Sequence, residues 1–414
     1  MITSRDIIFI SSIEWDFLWQ IHQEIALRLV KAGNRVLYIE NTGIRSPKLR
    51  DAKRVAARLK NGMGSFFSHG VREVYPNLYV VAPMVLPPFG SSSRRLANRR
   101  ILLPRIKRVV RSLGMRHPLI WTYLPTDTAV DLINLLRTPQ SALVYYCGTD
   151  FSQLTPHRRE LRKSETMLLG MADLVFTYCR ELEMHCRKWN ANVHLVPAGV
   201  DLDSFMPEEN GVVATMTDSA STPLYKKPFS LSLPRPIIGY VGGLHKFVDY
   251  DLLISMARER PQWSWVFVGA IQETVGELAK LPNVHLLGQQ PHKSLVDYIR
   301  RFDVCLIPYL NTPATATALP LKLNEYLAVG KPVVSTVLPT VCDFNSRHQI
   351  LITAPNHPKS FLVAIEQALR LPNDEHMIAQ RREVAALGDW QSCLMAMSKL
   401  IESVLQKKLL ISTL

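Results

Sequence analysis

Thr317–Thr336 reads T-A-L-P-L-K-L-N-E-Y-L-A-V-G-K-P-V-V-S-T, and its punctuation separates a helix from a strand. Pro320 suits a first helical turn, where its missing N–H would be unpaired anyway. Leu321, Leu323, Tyr326, Leu327 and Ala328 carry the following turns. Gly330 then supplies a left-handed cap, and Pro332 prevents continuation. Val333–Thr336 is predicted to be a buried strand. Helix, cap and strand make half of an α/β unit.

Two charges inside that helix are unusually placed. Lys322 falls in the first turn, where the helix dipole disfavours a cation by about 0.3–1 kcal/mol. Glu325 lies one turn further along the same face. Either the two form an intrahelical ion pair, although Lys before Glu is the poorer order, or each serves a ligand. A diphosphate near Lys322 would offset its misplacement, since helix N-termini favour anions. Glu325 would then accept hydrogen bonds from a vicinal diol such as a ribose.

A chain of 414 residues, 47% hydrophobic, suffices for two ordinary domains. No apolar run reaches the roughly eighteen residues needed to cross a bilayer. The N-terminus opens straight into a strand, with no cleavage signal expected. Six cysteines without C-x-x-C spacing read as reduced, buried thiols of a cytoplasmic protein, and no metal is expected. The net charge of +14 is concentrated. Seventeen Lys/Arg between Arg45 and Arg116 face only Asp51 and Glu73, so the remainder is near neutral. Arg45–Asn61 and Leu96–Arg116 interleave cations with apolar residues, as amphipathic helices on a surface would, with Pro104 as a kink. F-F-S-H-G and M-V-L-P-P-F-G between them read as exposed apolar loops. An anionic membrane face accounts for cations and apolar loops together. Nucleic acid would suit the charge equally, but no recognition module has the expected spacing. A solvated face is the plainer alternative.

In chain order, Asp6–Ile10, a helix over about 19–32 and strand Arg35–Ile39 form a βαβ opening, so a parallel sheet is expected. In the intervening loop, Trp15 and Trp19 either stack on a sugar, enter a lipid interface, or pack against the sheet edge. Leu119–Thr122, Leu143–Tyr146 and Leu174–Thr177 are further strands. Asp150 follows one of them at its carboxyl end, where open α/β sheets build sites. It either orients an acceptor hydroxyl or caps the next helix. His185 beside Cys186 reads as a helix-surface pair, and His22 as structural. Glu208–Pro236 is rich in Ser, Thr and Pro and reads as a linker. Ile237–Val241 begins a second domain. Gly242 and Gly243 after it let backbone N–H groups approach a phosphate. His245 and Lys246 follow, and Lys246 is either a surface lysine or a counter-charge to a leaving diphosphate. Strands over 265–269, 284–288 and 303–309 come next, then helices over 361–371 and about 390–408.

P-L-K-L-N-E-Y-L-A-V-G-K-P-V-V resembles the donor-binding helix of retaining, nucleotide-sugar-dependent glycosyltransferases of the GT-B type (group 1, family-4-like). Many of them carry two glutamates eight positions apart. Glu325 matches the second, which implies that it holds the ribose, while the first falls at Thr317. That departure resembles a polysaccharide-building branch, of the teichuronic acid or exopolysaccharide type, with Thr, a short gap and Pro-Leu-Lys. V-H-L-V-P-A-G-V-D-L-D-S-F (193–205) resembles the family's strand-to-hinge segment, with Ala198 replacing its usual Asn. P-N-V-H-L-L-G and F-D-V-C-L-I-P-Y are similar to its second domain.

The resemblance implies two Rossmann-like, doubly wound α/β domains facing across a cleft. An acceptor domain would span 1–205, a linker 206–236, a donor domain 237–388, and a helix over 389–414 would cross back. It implies sugar transfer with retention from a UDP- or GDP-sugar to a sugar or lipid-linked acceptor, with no cofactor, metal or nucleic acid. Gly242, Gly243, His245, Thr317, Leu321 and Glu325 would meet the donor, and Lys246 and Lys322 the leaving diphosphate. Asp150 would face the acceptor, with Trp15 and Trp19 beside it or at the membrane. The basic region 45–116 would bind the cytoplasmic face of the cell membrane. Two rivals stand: a nucleotide-sugar epimerase on the same fold, which needs further acid/base residues, and a catalytically silent membrane scaffold.

Overall fold

The strands form where short aliphatic and β-branched runs are bounded by turn residues. The computed structural model describes residues 1–40, 70–83, 85–89, 91–197, 199–206 and 233–413. The predicted basic helix over 45–61, Ala198 and most of the expected linker lie outside the described residues. The chain divides into two compact units, one comprising Met1–Pro197 with Gln391–Leu414, the other Ala198–Trp390.

The first unit is built on an eight-stranded sheet. Its strands are β1 (Asp6–Ile10), β2 (Arg35–Ile39), β3 (Val71–Tyr75), β4 (Leu78–Val81), β5 (Leu119–Thr122), β6 (Leu143–Cys147), β7 (Leu174–Thr177) and β8 (Val193–Leu195). The order is β3-β4-β2-β1-β5-β6-β7-β8, parallel except for the β3–β4 hairpin. That hairpin occupies part of the basic region and was not expected from the sequence. One sheet face buries Ile8, Ile10, Leu37, Ile39, Ile120 and Tyr145 beneath helices that include Leu103–Ser112 and Arg158–Met171. The other carries a row of rings, Tyr38, Phe9, Trp121 and Phe176, with neighbouring centroids 5.5–5.9 Å apart.

The region 92–112 differs from its surface-helix reading. Helices Ser92–Ala97 and Leu103–Ser112 are joined through a π-helical turn, Asn98–Leu102, immediately before Pro104. Pro104 lacks an N–H and crowds the preceding turn, and a π-bulge is a usual way to absorb this. Leu103, Ile106, Val109 and Val110 are buried in the unit's own core. The apolar stripe is therefore spent on folding, and the solvent receives Arg99, Arg100, Arg105, Arg108 and Arg111 with Leu96 and Ile101. Phe89, expected in an exposed loop, is buried against the same core and touches His157, ring to ring at 5.9 Å. Cys186 is also fully buried rather than on a helix surface, because its position on Arg180–Arg187 faces the core.

The second unit holds six parallel strands: β9 (Ile237–Val241), β10 (Ser264–Val268), β11 (Val284–Leu286), β12 (Val304–Ile307), β13 (Val333–Thr336) and β14 (Ile352–Ala354). Their order, β11-β10-β9-β12-β13-β14, reverses direction between β9 and β12. Such a switch point splays the loops that leave the two strands and opens a crevice at their carboxyl ends. The helix of the opening motif spans Lys322–Ala328, so Pro320 lies just before it rather than in its first turn. Gly330 takes φ +82°, and the N–H groups of Gly330 and Lys331 bond to the carbonyls of Leu327 and Tyr326, closing the helix as predicted. No helix among the described residues is long and apolar enough to cross a membrane.

Candidate functional site at the strand switch of the second unit

The β9 end, the β12 end and the helix Lys322–Ala328 bring Gly242, His245 and Lys322 together around Tyr309. Gly242 leaves β9 with φ +134°, a conformation that L side chains rarely adopt. Its N–H bonds to Val268, which ties the turn to β10. The Tyr240 hydroxyl donates to the Gly243 carbonyl at 2.9 Å, fixing the next peptide. A Cβ at residue 242 would stand 2.4 Å from Lys322 Nζ, so the lysine occupies the space that the glycine leaves.

Lys322 is only 9% exposed. Its ammonium donates to the Tyr309 hydroxyl at 2.9 Å and lies 3.8 Å from the centroid of the Tyr240 ring. No carboxylate pairs with it among the described residues. Glu325 turns instead to His292, whose Nε2 lies 3.2 Å from Oε1. The intrahelical ion pair is thus not formed: each charge has its own aromatic partner. The helix has seven residues, fewer than two turns, so its dipole adds less than the sequence suggested. The charge offered at this site is Lys322 itself.

His245 lies in the loop after Gly243, with its ring 5.3 Å from that of Tyr309. Burial, and then the charges of Lys322 and Lys246, push its imidazole down to about 4, so it is neutral at pH 7. Its Nδ1 accepts the Phe247 N–H at 3.2 Å. Lys246 is exposed, its ammonium 4.9 Å from the Phe247 ring. Leu321 caps the helix, its carbonyl accepting from Asn324. Thr317 is half-buried in the turn that leads to that cap.

The remaining predicted residues lie in the first unit. Asp150 caps the short turn Phe151–Gln153, accepting from the Ser152 N–H (3.0 Å), the Ser152 hydroxyl (2.6 Å) and the Gln153 amide (3.2 Å). Burial opposes its ionisation, but the hydrogen bonds from Ser152 and Gln153 and the charge of Arg162 outweigh it, holding the carboxyl below its ordinary value. It is a weak base and a firm cap. Trp15 and Trp19 pack edge to face at 6.1 Å, and Trp15 also meets Tyr38 at 5.1 Å. Trp19 Nε1 donates to Glu24, and both rings are half-buried. His22 is buried, with Ser11 Oγ 3.0 Å from Nδ1 and Ser12 Oγ 3.3 Å from Nε2. His185 pairs with the buried Glu165 at 3.0 Å. Among the described residues no cluster of three His, Cys, Asp or Glu is arranged to hold a metal.

Tyr240, Tyr309 and His292 were not singled out in the sequence. The tyrosines sit in strand ends that read simply as apolar, and His292 stands 33 positions before Glu325. Only tertiary structure unites them.

Comparison with known proteins agrees with this geometry. A family model described as glycosyl transferases group 1 matches residues 235–370. TuaH of Bacillus subtilis (strain 168), named for teichuronic acid biosynthesis as a glycosyltransferase, is 27% identical over 245 residues, 57% of this chain and 58% of its own length. TuaC of the same organism, named likewise, is 21% identical over 222 residues, 53% of this chain and 52% of its own. The chain thus spans about half the length of these curated relatives. A sucrose-phosphate synthase from Thermosynechococcus elongatus superposes with a TM-score of 0.68 at 18% identity, over 97% of this chain and 100% of that one. Anabaena Alr3699/HepE in complex with UDP and glucose gives 0.63 at 13%, over 96% and 99%. Residues 235–370 thus match the glycosyl transferases group 1 model, and the chain shares the GT-B fold of these solved structures.

Proposed function

We propose that the chain is a retaining glycosyltransferase of polysaccharide biosynthesis, moving a sugar from a nucleoside diphosphate-sugar to a sugar or lipid-linked acceptor. The observation that carries this reading is the buried Lys322 ammonium. It lies against Gly242 with no carboxylate partner among the described residues, one helical turn before Glu325, inside the segment that matches the family. A buried cation without an opposing charge is costly unless an anion arrives to neutralise it. In the proposed reaction the bond from the anomeric carbon to the diphosphate oxygen breaks, a bond to the acceptor oxygen forms on the same face, and the acceptor hydroxyl's proton passes to the departing diphosphate oxygen. Lys322, the exposed Lys246 and the backbone N–H of Gly243 stabilise the charge that develops on the diphosphate. Glu325, held by His292, takes the ribose diol; Leu321, Thr317 and the neutral His245 are assigned to the same donor. Asp150 orients the acceptor rather than abstracting its proton, consistent with a carboxylate of low basicity. With lysines in place for the leaving group, no metal is required.

Names of relatives support the pathway: TuaH and TuaC are both named for teichuronic acid biosynthesis. The exposed arginines of 99–111, with Leu96 and Ile101 between them, support attachment to an anionic membrane face. The test is release of sugar from a panel of UDP- and GDP-sugars, with and without EDTA. Activity with one donor, unaffected by chelation and abolished by Glu325→Ala, is the expected result. A silent scaffold would show no thermal stabilisation by UDP or GDP, and that outcome would end the enzymatic reading.

A further inference from the structure

Among the described residues Lys322 is held by neutral partners, and this distinguishes it from an ordinary buried lysine. Tyr309 accepts its hydrogen bond at 2.9 Å, and the Tyr240 ring faces the ammonium at 3.8 Å. A carboxylate in their place would cancel the charge; a phenol and a ring face locate it without cancelling it. Both tyrosines are in turn fixed. The Tyr309 backbone carbonyl accepts from Asn356 at 3.0 Å and from Thr336 at 2.7 Å, and its N–H bonds to Thr336. Asn356 also bonds to Asp249, the cap of the helix that follows the glycine loop. Tyr240 has two tasks at once, because its hydroxyl holds the Gly243 carbonyl while its ring carries Lys322.

We propose that Tyr240 and Tyr309 are positioning residues that hold the uncancelled Lys322 charge beside the Gly242–Gly243 turn and so confer selectivity for a nucleoside diphosphate over the corresponding monophosphate. This rests on the donor-site reading above. Tyr309 sets the ammonium by its hydroxyl. Tyr240 couples the two halves of the cradle, peptide turn and lysine, through one side chain. Neither is expected to touch the nucleoside.

The experiment is calorimetric titration with UDP, UMP, GDP and GMP, on the whole chain, for the wild type and for Tyr309→Phe, Tyr240→Phe and Tyr240→Leu. Tyr309→Phe keeps the ring and loses the hydroxyl. It should weaken the preferred diphosphate about three- to tenfold while monophosphate affinity stays within about twofold. Tyr240→Leu should remove tenfold or more of the diphosphate preference, and Tyr240→Phe, which retains the ring face, should restore most of it. A merely structural role would weaken both nucleotides alike. An unchanged diphosphate-to-monophosphate ratio in Tyr309→Phe and Tyr240→Leu, with Glu325→Ala still abolishing binding, overturns the positioning role and leaves the donor site standing. If Tyr240→Leu does not fold, Tyr309→Phe decides by the same ratio. Absence of any nucleotide binding by the wild type overturns both proposals.

Discussion

At position 242 a single methyl group would disturb the charge arrangement of the second unit. The Cβ of Gly242→Ala would meet Lys322 Nζ at 2.4 Å and demand a strained φ of +134°. Backbone strain of this kind costs about 1–3 kcal/mol. The lysine must also move, so affinity for UDP or GDP should fall at least about tenfold in titration. His22 makes a second prediction at this scale. Burial pushes its imidazole down to about 3, against 6.5 for an exposed histidine, so the folded chain keeps it neutral while the unfolded chain protonates. Its stabilising share is therefore complete above pH 6.5 and is lost as pH falls towards 3, by about 1.4 kcal/mol per pH unit. His22→Gln should remove that slope from urea-denaturation stabilities measured between pH 6.5 and 4. His245 titrates in a similar range, but contributes equally to both proteins.

Among elements, the helix Lys322–Ala328 is too short to be stable by itself and is held by others. Tyr326 reaches β9, its hydroxyl accepting the Val241 N–H at 2.7 Å. Just past the C-terminal end the buried Arg381 donates to the Gly330 carbonyl at 2.9 Å. Gly330 itself needs φ +82°, and a Cβ there would come within 2.7 Å of Ile378. Gly330→Ala should destabilise the protein by about 1–3 kcal/mol in denaturant unfolding. It should weaken nucleotide binding less than Gly242→Ala does, because the fault lies two turns from Lys322. The region 92–112 follows similar logic: Pro104 is accommodated by a π-turn, and the apolar stripe is committed to the core.

For the whole molecule, the basicity of residues 99–111 lies on the surface, whereas the apolar residues of 96–110 are divided between core and solvent. Arg100, Arg105, Arg108 and Arg111 are exposed, and each cation near an anionic bilayer contributes about 1 kcal/mol. Replacing all four by Gln should reduce co-sedimentation with phosphatidylglycerol vesicles at least tenfold at low salt, with little change in the thermal melt. Unaltered sedimentation would remove the membrane from the proposal. The sequence by itself determined the two parallel sheets, because runs such as Ile237–Val241 and Val333–Thr336 are short, rich in β-branched residues and bounded by Gly or Pro, a local property. It also determined the Gly330 cap, the glycine turn and the placement of Lys322 and Glu325 one turn apart. Only the tertiary structure decided what those charges meet. Tyr309 and His292 reach them from 13 and 33 residues away, and the choice between an ion pair and two separate aromatic partners turns on which side chains the strand switch brings into contact. Periodicity encodes which face of an element is buried; it carries no record of the neighbour across the sheet.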